Sequence, residues 1–241
     1  MMLSTAALAR REFIKFWRER ARLIGFAAAP LLFWLTVSAG FNDFSRFFSG
    51  SLTLALMFSA VFSNMTLIDD RKEGFLAGVL VTPAPRAAIV LGKVLGAAFL
   101  AWLQSLLFLL FLPLAELSPG FFGLLATLGV LALIAVFFTL IGFLAAWHMS
   151  STQAFHGVVN MILMPMWMLS GSLFRLEEAH PLMRLAMQVN PMSYGISLLN
   201  SSLGAPASFE PPVSLLVLCS GAALLFSFAL FRVNRSQYAA P

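Results

Sequence analysis

Charged side chains crowd into one stretch of this chain, IDDRKEGFLAGVLVTPAPRAAIVLGK, from Ile68 to Lys93. Asp69, Asp70, Arg71, Lys72 and Glu73 run consecutively, and Arg86 and Lys93 follow a pair of prolines. Side chains of both signs packed this densely raise the question of what they touch. Other chemistry that spacing can reveal is missing. There is no GxxxxGK[ST] phosphate loop, since the Gly92-Lys93 pair lacks both the earlier glycine and the hydroxyl, so the chain does not bind ATP by that route. HExxH, GxSxG and a Cys/His cluster with zinc spacing are absent as well. No catalytic cluster and no metal site is expected, and the chain reads as something other than an enzyme. His148 and His156 flank the turn WHMSSTQAFH, where they face one another or simply cap it. Met161, Met164 and Met168 share one helical face, which suits either Cu(I) ligation by thioethers or adaptable packing.

The elements that must position these residues are membrane spans. Of the 241 residues, 60% are hydrophobic and 10% charged, with a mean hydropathy of +0.91. A soluble domain carries about 25% charged residues, so this surface is too apolar for water. Apolar runs give six spans: Leu23–Gly40, Leu52–Ile68, Val94–Ala115, Phe121–Trp147, Phe155–Leu173 and Val213–Phe231. The first ends in TVSAG, which resembles a signal-peptide cleavage site, but it follows 22 residues of patterned sequence and reads as a span. As delimited, the spans hold no Asp, Glu, Lys or Arg. That argues against an ion-coupled or facilitative carrier, the alternative reading, because such carriers usually place an ionisable or cation-coordinating group near the midplane. Cys219 has no partner in the chain and says nothing of redox compartment.

The net charge of +5 and pI near 10.1 do not signal nucleic acid, because the cations flank the spans. Six lie before the first span (Arg10, Arg11, Lys15, Arg18, Arg20, Arg22), four between the second and third, and Arg232 and Arg235 after the last. Arg46, Arg175 and Arg184 are on the other side. The positive-inside rule then puts both termini and the 69–93 loop in the cytoplasm of a bacterial-type inner membrane. Before the first span, Phe13, Phe16, Trp17 and Leu23 fall broadly on one helical face with Arg and Glu elsewhere. Residues 1–22 read as an amphipathic interfacial helix touching membrane lipid, or as a plain basic anchor.

Within the charged stretch, Phe75, Leu76, Val79 and Leu80 fall on one face of a short helix. Glu73 stands at its start, where the helix dipole favours a carboxylate, and Thr82-Pro83-Ala84-Pro85 stops it. Such a helix either lies flat on lipid or inserts into a socket on a cytoplasmic partner. Between the last two spans, residues 172–212 are too apolar for a solvated loop and too interrupted for a span. They read as short re-entrant helices, with Glu177 and Glu178 facing solvent. Pro165 is expected to kink the fifth span.

The stretch DDRKEGFLAGVLVTPAPRAAIVLGKVLGA resembles the signature loop of type-2 ABC exporter permeases through Asp70, Arg71, Glu73, Gly74, Leu80, Thr82, Pro83, Arg86, Gly92 and Lys93. A second likeness, in LSGSLFRLEEAHPLMRLAMQVNPMSYGISLL, rests on Ser170, Gly171, Pro181, Asn190, Pro191, Ser193 and Tyr194. Arg175 departs from a common proline, and Asn200 from an arginine that often follows the tyrosine. The resemblance implies one transmembrane permease domain over residues 1–241 and an all-α polytopic fold. It implies a homodimer of six-span subunits with two copies of a separate ABC ATPase that holds MgATP, the permease itself carrying no cofactor. Glu73–Pro83 would be the main coupling helix, Trp147–Phe155 a second contact, and Arg10–Arg22 a connecting helix. Asp70, Arg71, Phe75, Leu76, Val79 and Arg86 join the ATPase-coupling set. The pathway between spans two and five of the two copies would then be lined by Phe58, Phe62, Asn64, Met65, Asn160, Met164, Met168 and Ser170, with Pro191 and Tyr194 at the exit. Such a lining suits an amphipathic, lipid-linked or drug-like cargo moved outward.

Overall fold

The computed structural model describes Arg11, residues 20–80 and residues 85–235. The amphipathic N-terminal segment falls mostly outside the described residues, as do Thr82 and Pro83. Among the described residues the chain is helical, without strands: α1 (Arg20–Phe41), α2 (Phe44–Phe62), α3 (Met65–Lys72), α4 (Phe75–Leu80), α5 (Arg86–Leu109), α6 (Phe121–His148), α7 (Thr152–Met168), α8 (Pro181–Val189), α9 (Pro191–Leu203) and α10 (Pro211–Arg235). Among the described residues, four segments are long and apolar enough to cross a membrane: Phe44–Lys72, Arg86–Leu109, Phe121–His148 and Pro211–Arg235. The expected first and fifth spans correspond to α1, of 22 residues, and α7, of 17.

At the centre stands α2, buried on every side along most of its length and packed against α1, α5, α6, α7 and α9. Asp43 caps its start by accepting from Arg46 N at 3.0 Å. The apolar run suggests a start at Leu52, but the helix begins eight residues earlier, because Phe44 and Phe48 pack in an aromatic cluster around Trp34 and Phe47 is buried beside Phe41. Trp34 stacks edge-on against Phe44 and Phe48, and its indole N–H donates to Phe44 O at 3.0 Å. Where α2 crosses α6, Gly142 leaves room for the backbone of Val61; a Cβ there would lie 2.8 Å from Val61 Cα. Asn64 Nδ2 reinforces the crossing by donating to Thr139 O at 3.2 Å.

Helix α5 also departs from the expected bounds, running 86–109 rather than 94–115. Its end is set by Pro113, which cannot donate to the carbonyl of residue 109 and disfavours helix before it. Its early start encloses Lys93, and the α2–α3 segment likewise runs on past Asp70. The charge-free spans expected from the sequence are therefore corrected: both ionised residues lie within long apolar segments, at 4% and 0% exposure. Mutual pairing makes this possible.

The remaining segments lie closer to expectation. Helix α7 starts at a Ser151 cap, buries Phe155, Val159, Leu163 and Trp167 at four-residue spacing, and runs three residues beyond Pro165 before ending at Met168. It stops short of the expected Leu173 in a turn at Ser170–Gly171, where Gly171 adopts φ +86°. Its opposite face, with Val158, Met161, Ile162, Met164 and Met168, is exposed. The 172–212 region folds into α8 and α9, and α9 packs against α6 and α10. Glu177 and Glu178 are exposed.

Candidate functional site

The charged stretch folds as two short helices separated by a left-handed glycine. After α3, Gly74 takes φ +74°, a conformation that costs other residues their Cβ clearance, and α4 then occupies six residues. Glu73 was expected at the start of this helix; the structure makes it instead the C-cap of α3, exposed, one residue before the glycine that breaks the chain direction. Leu76 is buried, and Phe75 is half-buried. The backbone of Val79 and Leu80 lies in α4 as expected.

Asp70 is the hub of the site. Its carboxylate is fully buried and accepts from both terminal nitrogens of Arg11, Nη1 to Oδ2 at 2.9 Å and Nη2 to Oδ1 at 2.7 Å. Lys93 Nζ, from the first turns of α5, donates to the same Oδ2. Bidentate guanidinium–carboxylate pairs are among the stronger charge-assisted bonds. The Arg11 guanidinium also sits 3.7 Å from the centroid of the Phe75 ring, a cation–π contact. One arginine thus joins the N-terminal segment to α3 and α4 together.

The neighbouring arginines point elsewhere. Arg71 donates from Nη2 to Trp147 O at 2.7 Å and from Nη1 to Met149 O at 3.1 Å, at the C-terminal end of α6. Arg86 donates from Nη1 to Val233 O at 2.9 Å and to Asn234 O, at the C-terminal end of α10. The last carbonyls of a helix have no intrahelical partner and carry the negative end of its dipole, so a guanidinium is a natural cap. Between those two ends, Arg232 of α10 contacts His148 Nε2 of α6. A guanidinium only donates, so Nε2 accepts and the proton sits on Nδ1, which donates to Leu144 O at 2.7 Å. His148 therefore bonds away from His156, whose ring lies 4.5 Å from that of Phe62.

The pathway residues named from sequence do not form one surface. Phe58 stacks on Phe62 at 5.5 Å, and Phe62 meets Phe155 of α7 edge-on at 6.0 Å. Met65 is half-buried nearby on α3, and Asn160, Met164 and Met168 are on the exposed face of α7. Asn64 is turned inward to α6, as described, and Ser170 is buried with its hydroxyl on Trp167 O. Pro191 opens α9, while Tyr194 donates from its hydroxyl to Gln188 O at 2.7 Å and stacks on Phe209 at 4.4 Å. Sequence reasoning missed the anchor Trp167, whose indole N–H donates to Gly50 O at 2.8 Å, whereas Gln104, a polar residue suited to interhelical bonding, accepts from Ser59 Oγ at 2.6 Å. It also missed the Arg11–Asp70–Lys93 pairing, for which one signal was present: an acid and a base each bordering an apolar run.

An all-helical architecture with several long apolar segments is that of a multi-pass membrane protein. The chain belongs to the ABC-2 type transporter family, whose model matches residues 4–203. It is similar to the transport permease ycf38 of Porphyra purpurea, 30% identical over 218 residues that cover 79% of this chain and 70% of the relative. The ycf38 permease of Pyropia yezoensis is also 30% identical, over 214 residues with the same coverage. Permeases of this family generally work with an ABC ATPase.

Proposed function

We propose that this chain is the transmembrane subunit of an ATP-driven exporter, working as two copies bound to two separate ATPase subunits that hold MgATP. The observation that carries this reading is α4: a six-residue helix isolated by Gly74 and held by the buried Asp70 hub through Arg11 and Phe75. A rigidly mounted helix can transmit displacement, where a loose loop would absorb it. Energy transfer needs contacts that differ between two states, and α4 with exposed Glu73 beside it is the element offered to a partner.

On this reading α1 and α7 join the four longer segments to make six spans, both termini and α4 face the cytoplasm, and the chain resides in a bacterial-type inner membrane. The concentration of Arg and Lys at the α4 end supports that orientation. The exposed apolar face of α7, with Met161, Met164 and Met168, supports a lipid-facing or copy-facing surface along which an amphipathic, lipid-linked or drug-like cargo moves outward.

The test is purification of the tagged chain in mild detergent from native membranes, with mass spectrometry and an ATPase assay. A phosphate-loop ATPase is expected in roughly equal amount, and Glu73→Ala with Phe75→Ala should deplete it while the permease stays in the membrane. Recovery of the permease alone, in a detergent that preserves other ABC complexes, would leave an ATPase-independent carrier as the better account.

A further inference from the structure

We propose that Arg71 and Arg86 are positioning residues that carry the movement of α4 into two separate membrane helices, Arg71 into α6 and Arg86 into α10, instead of contacting the ATPase. The proposal rests on the exporter reading above and assigns a division of labour within it.

The geometry is paired. Arg71 lies four residues before α4 and Arg86 six residues after it, so the two guanidinium groups bracket the short helix in the chain. Each reaches the carbonyl end of a different long helix, 76–78 residues away for Arg71 and 147–148 for Arg86. Arg71 spends both terminal nitrogens on main-chain oxygens and Arg86 holds two such oxygens through Nη1, which turns both groups toward the helix ends. Arg71 is further held over the Trp147 ring, 5.6 Å from its centroid. A load on α4 therefore reaches α6 and α10 through charge-assisted hydrogen bonds directed at helix termini. An α-helix rises about 1.5 Å per residue, so the 28 residues of α6 and 25 of α10 carry it across most of a membrane.

Arg71 also has a reason to occupy more than one arrangement. Its Nε is buried with no acceptor among the described residues. Leaving a buried donor unpaired is unfavourable, and a shift of α3 against α6 that supplied an acceptor would relieve it. A contact that improves in a second state is what a transmission element requires.

The experiment uses the full permease–ATPase complex with Cys219→Ser and one spin label, either at Ser118, just ahead of α6, or at Glu210, just ahead of α10. Both positions are exposed and sit at the helix ends remote from the arginines. The distance between labels in the two copies is compared without nucleotide and after trapping with ATP and vanadate. The parent is expected to shift at both positions. Arg71→Gln should abolish the shift at 118 and spare that at 210, Arg86→Gln should do the reverse, and the ATPase subunit should co-purify in parental amount with either variant. Arg→Lys at each position, which keeps the charge but not the planar guanidinium, should give a reduced shift and serves where a glutamine variant fails to reach the membrane. Loss of the ATPase subunit from the variants would overturn the proposal by making the arginines partner contacts. Shifts that persist, or that vanish together at both positions in either variant, would overturn it as well. A parent that lacks the ATPase subunit would defeat the exporter reading itself, and this proposal with it.

Discussion

The two ends of the molecule are fastened by different chemistry. At the α4 end, ionised groups do the holding: Asp70 with Arg11 and Lys93, Arg71 on the end of α6, Arg86 on the end of α10, and Arg232 on His148. At the opposite end most ties between elements are neutral, with Asp43 on Arg46 N and Arg184 on Leu176 O and Glu177 O as local charged caps. Indole N–H groups of Trp34 and Trp167 bond to Phe44 O and Gly50 O, the Asn190 amide spans Met166 O and Leu169 O, and Ser197 Oγ both donates to Phe209 O at 2.9 Å and accepts from Phe209 N at 2.8 Å. Charged side chains at that end, among them Arg46, Glu116, Arg175 and Glu177, line an open cavity of about 490 Å³, and Arg46 Nη2 reaches Leu173 O only at 3.5 Å. Charge-assisted bonds are roughly twice as strong as neutral ones, so the first end is built to stay assembled and the second to yield more readily.

Three substitutions grade the contrast. Asp70→Ala should do the most damage, because it strands Lys93 at 4% exposure and removes the bidentate acceptor of Arg11. Breaking a buried pair this way costs about 3–5 kcal/mol, seen as a large drop in the thermal midpoint of the detergent-solubilised protein. Asp70→Leu combined with Lys93→Met should recover much of it, since apolar replacement of both partners is often neutral. At the opposite end, Asn190→Ala removes the cap that accepts from Met192 N, takes the amide donor from Met166 O, and leaves Leu169 O only the Ser193 hydroxyl at 3.5 Å. A loss of about 1–2 kcal/mol is expected, with α8 and α9 exchanging amide hydrogen faster while α3 and α4 are unaffected. Tyr194→Phe deletes only an exposed hydroxyl bond to Gln188 O and keeps the stack on Phe209, so the midpoint should fall by less than about 1 kcal/mol equivalent. Reversal of this order would mean that the neutral end is the stronger one.

Hydropathy located the long helices, and the spacing of Phe75, Leu76, Val79 and Leu80 located α4, because both are local properties of the chain. Helix bounds went astray where tertiary contacts override hydropathy: Lys93 is enclosed because Asp70 waits across the hairpin, and Phe44 and Phe48 extend α2 because Trp34 receives them. Glu73 was displaced from the start of α4 by a single left-handed glycine. The charged stretch was legible as a site, but the partners of its arginines were not. Arg71 and Arg86 bind carbonyl oxygens that every residue possesses, so nothing in the letters at 147, 149, 233 and 234 marks them as acceptors. The pathway set divided for a similar reason. Asn64 and Met164 look equally suited to line a channel, yet one is turned inward onto Thr139 O and the other is exposed.

That anonymity of the acceptors has an evolutionary side. A clamp made between two side chains can be lost from either partner, and every drift of one constrains the other. A clamp made to the main chain has a single point of failure. Trp147, Met149, Val233 and Asn234 can be exchanged for almost any residue without removing the oxygen that the arginine grips. The side chains at those four positions are thereby free to vary while the grip of the two arginines is kept.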